Sequence, residues 1–160
     1  AIAENGYLVV LVPMPLSMAF FAPDKADDVL AAFPEIQYWA LAGHSLGGAM
    51  AARYCFTHPR KVQGLVLWAS YPANTDSLVN QNLAVLSIYG SEDGQVEKIE
   101  QSSVLLPADT TWVEIMGGSH AQFGDYGLQP GDGQASISPQ QQWEQVTSAT
   151  VTFLMNISGE

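Results

Sequence analysis

The chain has 160 residues, 48% of them hydrophobic, enough for one domain to bury an ordinary packed core. Sixteen acidic residues stand against five basic ones, a formal net charge of −11, which excludes nucleic acid and anionic membrane surfaces as natural partners. The longest apolar stretch, residues 7–12 continuing into Pro13-Met14-Pro15-Leu16, is too short and too proline-broken to cross a bilayer, so a soluble protein is expected.

In chain order the first expected element is a strand over residues 7–12, followed by a helix over 24–33. A second strand over 37–42 leads through Gly43-His44-Ser45-Leu46-Gly47 into a helix over 46–57. Strands over 64–69, 83–89 and 111–115 alternate with a short helical piece near 74–80 and a helix over 95–103. Each of the five strand candidates is a near-continuous apolar or β-branched run, the pattern of strands buried on both faces of a parallel sheet. Residues 117–138 form a long glycine-rich loop, of the length that usually carries function. A closing helix is expected from Pro139 to about residue 157, with Ser138 as N-cap, Pro139 at the first helical position and Gln141 completing a capping box. Its stripe of Trp143, Val146, Phe153, Leu154 and Ile157 should pack on the sheet.

The acidic excess reads as a well-solvated surface, with adaptation to a saline habitat as a second reading. The single cysteine, Cys55, cannot form an internal disulfide and reads as a small buried hydrophobe. No secretory n-region precedes the first strand, an absence that by itself says little of location; a cytoplasmic one is the expectation.

The chemistry concentrates at Ser45. Set between a strand and a helix, it sits on a sharp turn whose strained backbone pushes its hydroxyl above the sheet. Gly43 and Gly47 are expected to be glycine because a Cβ at either would collide with neighbouring backbone. The helix beginning at Leu46 points unpaired N–H groups to the place where an oxyanion would form. Two later strands end in suitable partners: Gly90-Ser91-Glu92-Asp93-Gly94 and Met116-Gly117-Gly118-Ser119-His120. Residues just past the carboxyl ends of parallel strands converge on one crevice, so Ser45, Asp93 and His120 would meet there in the order serine, acid, histidine. Glu92 is a rival acid. His44 and His58 read as structural, the four tryptophans as core, and Ser70 and Tyr71 as possible walls of an acyl pocket.

With these residues in place the chain resembles the catalytic part of an α/β-hydrolase, of the small dienelactone-hydrolase-like kind. The resemblance runs from Tyr7 to the closing helix. It implies a minimal α/β core, a mainly parallel sheet of about five strands flanked by helices, in one domain spanning residues 1–160. It also implies a serine esterase that uses no cofactor and no metal and acts on small carboxylic esters. Ser45 would form the acyl-enzyme, His120 would act as base and Asp93 would orient it. Leu46 N–H would be the first oxyanion donor. If the strand over 7–12 lies directly beside the elbow strand, the loop after it supplies the second, and Met14 is the candidate because Pro13 and Pro15 have no N–H.

The family has more strands ahead of the elbow than this chain does. Two readings follow, a piece of a longer hydrolase or a compact version, and a feebly active or non-catalytic module for binding or assembly is the alternative function. Right-handed crossovers place the connecting helices on one face of the sheet, leaving the closing helix to cover the other. A homodimer, or further residues, is expected to shield the remainder.

Overall fold

A computed structural model describes residues 1–124 and 127–158. Its centre is a four-stranded parallel sheet: β1 (Ala40–His44), β2 (Gly64–Trp68), β3 (Ala84–Gly90) and β4 (Thr111–Ile115), side by side in sequence order. Ala40 stands opposite Gly64 and Gly64 opposite Ala84, while β4 begins two steps further along, with Thr111 opposite Leu86. β3 and β4 therefore extend beyond the level at which β1 ends, and the loops leaving them overhang that end.

Side-chain alternation divides the core into two layers. Leu65, Leu67 and Val85 face one side, where they meet Ala52, Tyr54 and Cys55 of α2 (Leu46–Thr57) and Leu30 of α1 (Ala26–Ala32). Val66, Leu86, Ile88 and Ile115 face the other, against Phe153, Val146, Leu154 and Ile157 of the 20-residue closing helix (Pro139–Ser158). Burying a leucine side chain such as Leu65 or Leu67 stabilises the fold by about 1.5–3 kcal/mol, and strands loaded on both faces can sit only inside such a sandwich. A short helix α3 (Val96–Gln101) links β3 to β4, which makes the closing helix α4. The expected capping box is present: Gln141 N–H donates to Ser138 Oγ at 3.2 Å, and Ser138 N–H to Gln141 Oε1 at 2.9 Å.

The parallel sheet with flanking helices agrees with the sequence reading, with three corrections. Residues 7–12, expected as a strand, take no regular secondary structure and join no ladder among the described residues. Apolar β-branched composition makes a strand possible, but only a neighbour's N–H and C=O groups make one, and the outer edge of β1 lies unpaired. Residues 74–80 form successive turns instead of a helix, because Leu78 N–H bonds across to Leu105 C=O at 2.7 Å and so leaves the local pattern. Trp143 leaves the α4 stripe, lies half exposed and donates its indole N–H to Gln122 C=O at 2.6 Å. Among the described residues no helix is long and apolar enough to cross a membrane.

Candidate active site

At the carboxyl end of β1 the backbone turns sharply, and Ser45 takes φ 53° and ψ −125°, a left-handed φ that a non-glycine residue adopts only when its surroundings hold it there. Those surroundings are hydrogen bonds. Ser45 N–H donates to Trp68 C=O at 3.1 Å, and Ser45 C=O accepts from Gly48 N–H, Ala49 N–H and, at 2.6 Å, Ser70 Oγ–H.

Close approach of the elbow strand to its helix fixes two glycines, but not the expected pair. A Cβ on Gly43 would run into the carbonyl carbon of Gly47, as anticipated. One on Gly47 would meet nothing, whereas one on Gly48 would strike Gly43 C=O and Ser70. Gly47 sits on the open side of the first turn of α2, and Gly48 is the residue that faces the strand. Gly48 and Ala49 direct their N–H groups to Ser45 C=O, and the N–H groups of Leu46 and Gly47 have no acceptor among the described residues. Leu46 N–H is thus left unspent beside Ser45.

Asp93 and His120 come together. Asp93, in the turn after β3, is buried and accepts Gln95 N–H on Oδ1 at 2.7 Å, leaving Oδ2 for His120 Nδ1 at 2.9 Å. An ionised carboxylate only accepts, so Nδ1 carries the hydrogen and Nε2 keeps its lone pair. This hydrogen bond raises the His120 pKa above its ordinary value; burial opposes it, and the charges of Asp93 and Asp132 reinforce it. The rival Glu92 turns away, taking Ser91 Oγ–H at 3.3 Å and packing beside Gly133.

His120 reaches back to the elbow. Its ring lies 4.6 Å, centroid to centroid, from that of His44, the residue before Ser45, and His44 stacks in turn on Phe123 at 5.8 Å and 11°. His44 is therefore part of the site's wall, a role the sequence reading missed. Burial first, and then the charge of His120, push its pKa down to about 4, so it is neutral wherever His120 titrates. Ser45 Oγ makes no hydrogen bond to His120 in this structure; such contacts are commonly long before substrate binds. His58 is structural as expected, stacked on Tyr54 4.4 Å away. Buried Cys55 has its thiol pushed up to about 12, an inert hydrophobe.

Ser45 and Leu46 open onto a cavity of about 320 Å³, walled by Ala49, Ala69 and Ala73 and closed by Tyr71, whose hydroxyl donates to Gln95 Oε1 at 3.0 Å. Ser70 and Tyr71 both line it, and Gln95 was not foreseen. Met14 does not line it; it sits on the unpaired N-terminal segment, just before the turn Pro15–Ser17, so the pairing that made it an oxyanion candidate is not formed. Among the described residues no group of three or more His, Cys, Asp or Glu side chains is placed to share a metal ion.

The sequence model of the alpha/beta hydrolase family matches residues 1–144. The chain belongs to the alpha/beta hydrolase family. Solved structures with the same fold include a predicted CIB-like hydrolase from Thermoplasma acidophilum, with 18% identity and a TM-score of 0.64 over 91% of this chain and 63% of that one. Another is an alpha-beta serine hydrolase homologue from Coxiella burnetii, with 18% identity and a TM-score of 0.56 over 82% of this chain and 58% of that one. A third is an alpha/beta hydrolase enzyme from the metagenome of sediments from the lagoon of Mar Chica, Morocco, with 18% identity and a TM-score of 0.62 over 93% of this chain and 80% of that one. This alpha/beta hydrolase chain thus spans less than two thirds of the length of the first two. No curated protein matches it by sequence.

Proposed function

We propose that this alpha/beta hydrolase chain is a serine esterase acting on small carboxylic esters, with Ser45 as nucleophile, His120 as base and Asp93 as the group that orients it. One observation carries the reading: a buried carboxylate holds the imidazole through Nδ1, and that imidazole packs against the residue preceding a serine on a left-handed elbow. In the reaction, His120 Nε2 takes the proton from Ser45 Oγ as the oxygen attacks the ester carbonyl. The carbonyl oxygen becomes an oxyanion beside Leu46 N–H, where a prepositioned donor is worth about a hundredfold or more in turnover. His120 returns the proton to the departing alcohol, and water, activated the same way, cleaves the acyl-enzyme. A second donor from Met14 would require residues 7–12 to lie alongside β1.

The small cavity and its alanine walls suit a short acyl group. A fluorophosphonate probe should label the protein, and Ser45→Ala should abolish labelling. A panel of p-nitrophenyl esters should show turnover falling as the acyl chain lengthens. Absence of labelling in the unaltered chain would overturn the reading. It would favour the second one, a feebly active or non-catalytic module, which the missing Ser45–His120 hydrogen bond and the unpaired N-terminal segment support.

A further inference from the structure

The acid and the base of the site sit on two separate turns, and a third piece of chain joins them. Within the long glycine-rich loop before α4, Gly131 has φ +95°, and Asp132 N–H closes a tight turn onto Gln129 C=O at 3.2 Å. The reversal lays Gly131-Asp132-Gly133 across the turn that holds Asp93. Gly133 N–H donates to Glu92 C=O at 2.8 Å, and Gly131 C=O lies so close to Gly94 that a Cβ there would meet it at 2.5 Å. Asp132 then uses both carboxylate oxygens at once. Oδ1 accepts Gly94 N–H at 3.1 Å, and Oδ2 accepts Ala121 N–H at 3.0 Å. Gly94 directly follows Asp93, and Ala121 directly follows His120.

We propose that Asp132 is a positioning residue that ties the Asp93 turn to the His120 turn and so keeps acid and base in register. The inference rests on the esterase reading for its catalytic consequence, although the tie itself is a matter of structure. Asp132 is not a competing triad acid, because His120 Nδ1 is bound to Asp93 and both Asp132 oxygens are engaged by backbone N–H groups. It has two effects. Backbone N–H groups accept no substitute for an acceptor, so its loss lets the two turns drift apart, and a displacement of about 1 Å at a catalytic group costs on the order of a hundredfold in rate. Its charge also favours the imidazolium. The groups facing His120 are Asp93 from the turn after β3, Asp132 from this loop and His44 from the elbow, and His44 is uncharged near neutral pH.

Asp132→Asn is the informative substitution, since it keeps shape and one acceptor but turns an amide NH₂ toward an N–H donor and removes the charge. In this variant the NMR titration midpoint of His120, assigned by its loss in His120→Gln, should fall. The plateau rate of fluorophosphonate labelling at high pH should fall at least tenfold, with the acidic limb of the labelling profile moving down in pH; Asp132→Ala should do more. A merely structural residue would lower the plateau and leave the midpoint in place. In the unaltered protein the amides of Gly94 and Ala121 should be protected from hydrogen exchange, a measurement that does not depend on the variants folding. Unprotected amides, or an unchanged His120 midpoint in folded Asp132→Asn, would overturn the inference. If the unaltered chain is not labelled while the His120 midpoint still falls, the esterase reading fails and the tie stands. If labelling is normal and Asp132→Asn changes neither midpoint nor rate, the tie fails and the esterase reading stands.

Discussion

At the scale of single residues, the hydrogen bond from His120 Nδ1 to Asp93 Oδ2 governs how the site should respond to pH. It raises the His120 pKa, so the imidazole is protonated to a higher pH than a free histidine would be. For hydrolysis of p-nitrophenyl acetate, kcat/KM should therefore rise with pH through a midpoint above about 6.5, the ordinary histidine value, and stay level beyond it. A maximum at pH 4 would contradict His120 as base. The same shift is a stability statement with a definite sign. The imidazolium–carboxylate pair contributes stability that is fully present below about pH 6.5 and is lost as pH rises through the folded-state value. Asp93→Asn should lower kcat by roughly 10³–10⁴-fold, because the amide favours the wrong tautomer, and should move the rising limb to lower pH by removing the largest cause of the shift. His44 has the opposite sign. The chain should lose stability as pH falls from about 6.5 toward about 4, over the range where the unfolded chain takes up a proton and the partly buried His44 does not.

At the scale of elements, α4 does more than cover a face of the sheet. Its Gln142 is completely buried and pairs its amide with the backbone of Ser119, accepting the N–H on Oε1 and donating Nε2–H to the C=O, both at 3.0 Å. The helix thereby holds the loop that presents His120, in the manner of one rung of a sheet. Gln142→Leu would keep the volume and leave two buried backbone groups unsatisfied, at a cost of about 2–5 kcal/mol. Urea unfolding should show the lower midpoint, and Gln142→Glu, able to donate only when protonated, should recover stability as pH falls. Neither Gln142 nor Asp132 was legible in the sequence, and the reason is general: both bind backbone N–H or C=O groups, which every residue offers, so no spacing of side chains announces them. The elbow was legible because it depends on local backbone sterics that only small residues satisfy. Even there, which glycine faces the strand depended on the helical phase, and Gly48 took the place expected for Gly47. The sheet was legible in β1 to β4, whose runs are near-continuously apolar or β-branched, and misread over residues 7–12, where an equally apolar run has no ladder partner among the described residues. The sequence favoured Asp93 over its neighbour Glu92, and the turn after β3 points the same way, bringing Asp93 to His120 and Glu92 to Ser91.

At the scale of the whole molecule, the sheet is covered unevenly. α4 packs over β2, β3 and β4, while among the described residues the outer edge of β1 has no neighbouring strand and the N-terminal segment presents Leu8, Leu11, Leu16, Phe20 and Phe21 to solvent, Leu11 with 88% of its surface exposed. An open strand edge is a surface that another chain can pair with, and exposed apolar side chains in such number are ones that water does not stabilise. The 160-residue chain should therefore self-associate. Its net charge of −11 opposes this, and the opposition is long-ranged only at low salt, since the Debye length falls from about 30 Å at 0.01 M to about 8 Å at 0.15 M. Sedimentation velocity should accordingly show association strengthening as NaCl is raised over that range, and Leu11→Glu together with Phe20→Glu should weaken it by placing charge among the exposed apolar side chains. A monomer at every salt concentration, free of aggregation at tens of micromolar, would show instead that α4 and the N-terminal segment suffice to cover the sheet.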